Sequence, residues 1–205
     1  MRRLGGSLAV IVIACGACAC ASAGQAALQA RYPINFNVTR VGGALMMLEA
    51  RDSELKDALS AATASATTDH YLAVARRYVE SGVPDRAFDY LQRSLTVNGP
   101  DARVHDALAR VWRDWGLPSA GLGDSYRAIS LAPRSAAVHN TLGTLLLRLG
   151  YVNEALAQFT AALELDPSAW YAQANLCHVH LSQGQTMLAI AECQDAAARR
   201  KKGSP

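Results

Sequence analysis

Two cysteines and a histidine near the C-terminus are the residues with the widest chemical reach. Cys177 and Cys193 stand at equal distances on either side of Gln185. Two antiparallel helices joined there would bring the sulfurs to one level, within reach of a disulfide, and an oxidising compartment would permit the bond. The alternative is that both are small core residues. His180 lies one helical turn from Cys177 and completes a three-member set with zinc-ligand chemistry, but no Cys-x-x-Cys spacing supports a metal. No metal and no cofactor is therefore expected. His105 and His139 recur 34 residues apart, which fits interhelical packing better than catalysis. The chain carries no phosphate-binding glycine loop, no nucleophile elbow, no His-Glu-x-x-His and no carboxylate pair in a setting that would perturb its ionisation. No catalytic residue is expected, so the chain reads as non-enzymatic. A small redox or metal protein using Cys177, Cys193 and His180 stands as an alternative.

The elements that must position these residues follow from composition and periodicity. Of 205 residues 51% are apolar and only 6% aromatic, a balance that suits close-packed helices better than sheets. The formal net charge of +3, with no long basic run interleaved with aromatics, gives no nucleic-acid footprint. The basic cluster Arg199, Arg200, Lys201, Lys202 reads either as a solvated end or as a membrane or partner contact. Residues 1–23 read as a secretory signal: Met1, Arg2 and Arg3 give a positive start, Leu4 to Ala14 is apolar, and small residues with Cys15, Cys18 and Cys20 come next. Val12, Ile13, Ala14, Cys15 resembles the lipobox of bacterial lipoproteins, making Cys15 the lipidation candidate after cleavage before it. Cleavage after Ala23, at Ala21, Ser22, Ala23, would instead release a soluble product. Either route predicts the bacterial cell envelope, lipid-anchored or soluble in the periplasm.

Residues 24–67 read as an N-terminal arm. Ile34, Phe36 and Val38 alternate with Asn35 and Asn37, as in a short strand or extended segment. Leu45, Leu48, Leu55, Leu59 and Ala62 fall near one face and predict one amphipathic helix over 43–64, which would shield the apolar edge of the segment C-terminal to it. Beyond it the chain repeats. Gly82, Gly116, Gly150 and Gly184 recur every 34 residues, and eight places before each stands Val74, Leu108, Leu142 or Leu176. A small residue comes directly after each of those, namely Ala75, Ala109, Gly143 and Cys177. Five places after the glycines come Ala87, Gly121, Ala155 and Ala189, and Pro133 and Pro167 close the second and third copies.

On these residues the stretch Thr68 to Lys202 resembles a tetratricopeptide-repeat protein, for which a 34-residue helix-turn-helix unit is the signature. The third copy matches best, with Leu142, Gly143, Gly150, Ala155, Phe159, Ala162 and Pro167. The second departs at Gly121 and Ser125. The expectation is an all-α, right-handed α-solenoid of four repeats, 68–101, 102–135, 136–169 and 170–202. Its helices are predicted at 68–81, 84–97, 102–115, 118–131, 136–149, 152–165, 170–183 and 186–200. Small residues should let paired helices approach at Ala75 with Ala87, Ala109 with Gly121, and Gly143 with Ala155. Tyr78, Leu91, Trp112, Leu146 and Phe159 should fill the gaps between hairpins.

The resemblance further implies that partners bind along the first helix of each pair. The positions exposed there in the family correspond to Asp69, Leu72, Arg76, Glu80, Arg103, Asp106, Arg110, Arg113, Asp114, Asn140, Thr141, Thr144, Arg148, Tyr171, Asn175 and His178. Arg76, Arg110, Arg113 and Arg148 are the anion or carbonyl contacts, while Asn140, Thr144, Tyr171, Asn175 and His178 complete the partner-binding set. The alternative for each arginine is a solvated helix face. Leu72, Ala107, Ala137 and Thr141 occupy the places where a chaperone-tail clamp would need Lys and Asn, so that ligand is not expected. The functional expectation is a protein-binding scaffold or adaptor of the envelope, in pilus or secretion-machine assembly by analogy, with a periplasmic peptide-binding chaperone as the alternative.

Overall fold

Short apolar stripes bounded by proline at helix starts and glycine at helix ends leave little room for long elements, and the chain folds accordingly. The computed structural model describes residues 38–202. Among them every regular element is a helix: α1 (Val38–Arg51), α2 (Ser53–Ala64), α3 (Thr68–Glu80), α4 (Pro84–Asn98), α5 (Ala102–Asp114), α6 (Pro118–Leu131), α7 (Ala136–Arg148), α8 (Val152–Leu165), α9 (Trp170–Ser182) and α10 (Thr186–Lys202). No helix among the described residues is long and apolar enough to cross a membrane. The signal segment, Cys15 and the extended alternation before Val38 lie outside the described residues. Val38 itself opens a helix.

Two compact units divide the chain, residues 1–48 and 49–205. Of the first, the described part is the opening of α1, where Met46 and Met47 are exposed. The second holds four helical hairpins, α3/α4, α5/α6, α7/α8 and α9/α10, preceded by α2, which packs on α3. The predicted single helix over 43–64 is corrected to two helices, because Asp52 stands in an extended conformation between Arg51 and Ser53 (φ −86, ψ 100). Its carboxylate accepts the Leu55 amide at 3.0 Å and two hydrogen bonds from the Arg77 guanidinium at 2.8 and 2.9 Å. The apolar periodicity runs through this point unbroken; the ion pair from a helix 25 residues away ends one helix and caps the next. Leu55 and Ala62 of α2 are buried, and Tyr78 donates to Glu49 at 2.7 Å.

The hairpins keep the 34-residue register. Gly82, Gly116, Gly150 and Gly184 all take φ between 73 and 85, the left-handed turn a β-carbon would oppose. Pro84 and Pro118 sit in the first turn of α4 and α6, where a missing N–H costs least. Helix ends agree with the register to within two residues. Ala109 and Gly121 do approach: a β-carbon on Gly121 would lie 3.0 Å from the Ala109 carbonyl. At Gly143 the close neighbour is Phe159 rather than Ala155, and a β-carbon there would lie 2.5 Å from the ring.

Neighbouring hairpins pack their apolar faces on one another, as stacked repeats must when none buries its own stripe. Leu142, Leu146, Ala155 and Phe159 of the third hairpin close on Leu176 and Val179 of the fourth. Ala136 and Ala162 likewise meet Ala169 and Ala172. Between the first two hairpins the filling is aromatic, with Phe88, Trp112 and Trp115 ring centroids 5.1 to 5.4 Å apart. Tyr78, Leu91 and Phe159 are buried as expected of gap-fillers, while Trp112 is half-buried and donates from its indole to Asp124 at 3.3 Å.

Candidate functional site

A groove of about 830 Å³ runs along the first helices of hairpins one to three, α3, α5 and α7. Its floor is apolar, with Leu72, Val79, Val111 and Val138, and its rim is charged, with Asp69, Arg76, Glu80, Arg103, Arg110, Arg113 and Asp114. One helix face produces this alternation because residues three and four apart lie side by side.

The rim charges are not equivalent. Arg103 is held by Asp101 and Asp69 at 3.0 and 2.6 Å. Arg113 is half-buried and committed to Asp114 at 2.8 Å and to the Thr144 hydroxyl at 3.5 Å. Arg110 reaches back one turn to Asp106 at 3.4 Å while staying 53% exposed. No described residue pairs with Arg76, which is also exposed. Two guanidiniums, those of Arg76 and Arg110, are thus presented over an apolar floor.

Asp106, expected at an exposed groove position, is only 8% exposed, because α5 is covered on both sides by its neighbours. Burial pushes its carboxyl above the ordinary 3.8, opposed by Arg110, Thr141 and Arg113. Its Oδ1 has no hydrogen-bond partner among the described residues. Thr141, expected on the same face, is buried too, and its hydroxyl donates to the Ala137 carbonyl.

The rest of the expected set lies beyond this groove, on α7 and α9. Arg148 is exposed but donates to the Arg113 carbonyl at 3.4 Å, so it braces the wall between hairpins two and three. Thr144 donates to the Thr141 carbonyl. Asn175 donates to Asn140 at 2.7 Å, linking the third and fourth hairpins by a side-chain amide pair. Tyr171 is half-buried beside Trp170, and His178 is exposed on α9. Of the nine partner-binding residues, the groove gathers Arg76, Arg110 and Arg113; the other six do not line it. The floor residues Val79, Val111 and Val138 were missed by sequence reasoning, although their apolar spacing on the first helices was a usable signal.

The sulfur and histidine chemistry is also placed. Cys177 and Cys193 are joined by a disulfide with a Cα–Cα separation of 5.3 Å. His180 takes no part in a metal set: its Nδ1 lies 2.6 Å from Glu192, and no group of three His, Cys, Asp or Glu among the described residues could hold an ion. His105 and His139 bridge the helices of their own hairpins, through Asp124 at 2.9 Å and Gln158 at 2.8 Å.

Four stacked helical hairpins, with a groove along the first helices of the first three, define an α-solenoid. Residues 136–169, the third hairpin, match the tetratricopeptide-repeat family model. A crystal structure of TTC0263, a tetratricopeptide-repeat protein of Thermus thermophilus, superposes with a TM-score of 0.67 at 20% identity, over 80% of this chain and 90% of that one. YrrB, a tetratricopeptide-repeat protein described with an unusual peptide-binding site, gives 0.54 at 20% identity, over 82% and 85%. The chain thus carries a tetratricopeptide repeat at 136–169 and shares the helical-solenoid fold of these tetratricopeptide-repeat proteins. Protein FlbA of Caulobacter vibrioides is 28% identical over 123 residues, which is 60% of this chain and 20% of FlbA, so the chain spans a fifth of that curated relative. Tetratricopeptide repeats mediate protein–protein interactions, and the fold is in general a binding rather than a catalytic one.

Proposed function

We propose that this protein is a non-enzymatic adaptor that holds an extended segment of a partner protein in the groove along α3, α5 and α7. The observation that carries the reading is the pair of exposed guanidiniums, Arg76 and Arg110, above the apolar floor of Leu72, Val79, Val111 and Val138. Guanidinium forks hold main-chain carbonyls and carboxylates in a defined orientation, and the floor accepts alternate apolar side chains. The segment it fits is therefore extended, with acidic or carbonyl groups toward the rim and apolar side chains toward the floor. That YrrB, on the same fold, is described with a peptide-binding site supports a peptide as the class of ligand.

The finer reading is an envelope scaffold, anchored through Cys15 or soluble after cleavage at Ala23, that contributes to assembly of an exported machine such as a pilus or secretion system. The positive, apolar and small-residue zones of residues 1–23 support the address. The test is capture from envelope fractions by the intact chain beside its Arg76→Ala, Arg110→Ala form. Loss of a partner with retained helicity supports the groove; equal capture by both forms removes it. Arg148 is not the residue to change, because its loss would also disturb the wall formed with the Arg113 carbonyl.

A further inference from the structure

We propose that Cys193 is a thiol–disulfide exchange site and that the Cys177–Cys193 bond is a redox-cleavable clasp on helix α10. The repeat register supplies the comparison. Cys177 and Cys193 occupy the places held by Gly143 and Phe159 in the third hairpin, one period earlier. There the fully buried Phe159 ring lies against Gly143 and joins the two helices by packing. In the fourth hairpin no ring fills that seat, and the same two backbone positions are joined by a covalent bond instead.

Little else holds α10. Among the described helices it packs against α9 alone. Its buried residues are two alanines, Ala189 and Ala196, whereas Met187 is 82% exposed and Leu188 and Ile190 are also exposed. Besides the disulfide, its side-chain ties to α9 include the His180–Glu192 hydrogen bond at 2.6 Å and the Arg200 guanidinium stacked 5.0 Å from the Trp170 ring centroid. A helix that buries so little apolar area depends on the constraint that keeps its unfolded form close.

The two sulfur-bearing residues also differ in access: Cys177 is 2% exposed, whereas Cys193 is exposed in a surface pocket at the α9/α10 seam, beside Trp170, Ala174 and Ala196. An external thiolate therefore meets Cys193 first. The co-reactant is a dithiol. Its thiolate bonds to the Cys193 sulfur, the Cys177–Cys193 bond breaks, and Cys177 leaves as a thiolate that takes up a proton. The second thiol of the reagent then displaces Cys193 as a thiol. The protein disulfide has gained two electrons and two protons, and the dithiol has become a disulfide. With the clasp open, α10 loses its docking on α9 while the first three hairpins keep their packed cores. This inference does not depend on what the groove binds.

The experiment is hydrogen–deuterium exchange of the full chain, oxidised and after treatment with dithiothreitol without denaturant, with thiol alkylation and mass measurement to count opened bonds. The expected result is that native-state reduction goes to completion and that amides of 186–200 exchange at least tenfold faster, with 136–165 unchanged. A Cys177→Ala, Cys193→Ala chain should show the fast exchange without any reductant. Protection of 186–200 within twofold of the oxidised chain, once both thiols are shown to be free, would overturn the clasp. Reduction only after denaturation would overturn the assignment of Cys193 as the exchange site.

Discussion

Gly143→Leu gives the sharpest test of how the third hairpin is packed. A β-carbon on Gly143 would lie 2.5 and 2.7 Å from two atoms of the Phe159 ring, and that ring is fully buried. The ring has nowhere to go, since Leu142, Leu146, Leu176 and Val179 surround it. Overpacking of this kind costs about 1 to 3 kcal/mol, and a four-carbon side chain belongs at the upper end. Replacing a helical glycine by leucine returns about 0.8 kcal/mol of helix propensity. The expected net loss is about 2 kcal/mol, roughly 4 to 8 °C in melting midpoint for a chain of this size, read by thermal and urea unfolding monitored by circular dichroism. The cause is then isolated by a double-mutant cycle. Phe159→Ala alone should cost about 3 to 5 kcal/mol, and combining it with Gly143→Leu should cost less than the sum by about 1 kcal/mol or more, because the leucine enters the space the ring leaves. Unchanged stability of Gly143→Leu, or strict additivity in the cycle, would refute the Gly143–Phe159 contact as the seat of this packing.

Other expectations bear on the same architecture. Gly123 lies in α6 with open space where a β-carbon would go and no left-handed backbone, so Gly123→Ala should raise stability by about 0.5 to 1 kcal/mol in the same unfolding assays. Asp106 is held above 3.8 by burial, so the folded chain binds its proton more tightly than the unfolded chain and loses stability as pH rises through the folded value. Asp106→Asn should therefore raise the melting midpoint at pH 7, with the gain fading as pH falls through the raised folded value and gone by about 3.8; a loss at pH 7 would mean the Arg110 pair outweighs the desolvation. Asp52 shows the opposite sign, because the Leu55 amide and Arg77 hold its carboxyl below 3.8. Its stabilisation is present above that value and is lost as pH falls through the lower folded one, so Asp52→Asn should melt earlier at pH 7 and converge with the parent in strong acid.

The solenoid was legible in the chain because every contact that defines it is local or between neighbouring repeats. A glycine that must turn left-handed, a small residue where two helices meet and a proline at a helix start each act within one 34-residue unit, and recurrence at one period turns weak local preferences into a fold. Periodicity also reported which faces are apolar, while the expected groove on the first helices came from the family resemblance. It carried no information about which charge answers which. The break at Asp52 depends on Arg77, 25 residues away, and an apolar stripe that runs straight through the break cannot announce it. Asp106 and Arg110 sit on one helix face four residues apart, yet one is buried and the other exposed, because the walls that cover Asp106 belong to neighbouring helices. Arg113 and Arg148 look like free groove cations in sequence and are committed to Asp114, Thr144 and a main-chain carbonyl once the hairpins stack. The cysteines show the same division. Their spacing allowed a bond or a pair of core residues, and only the approach of α9 to α10, at a Cα–Cα separation of 5.3 Å, chose between them. Local conformational preference is written residue by residue, whereas burial and charge pairing are properties of surfaces that exist only after the helices meet.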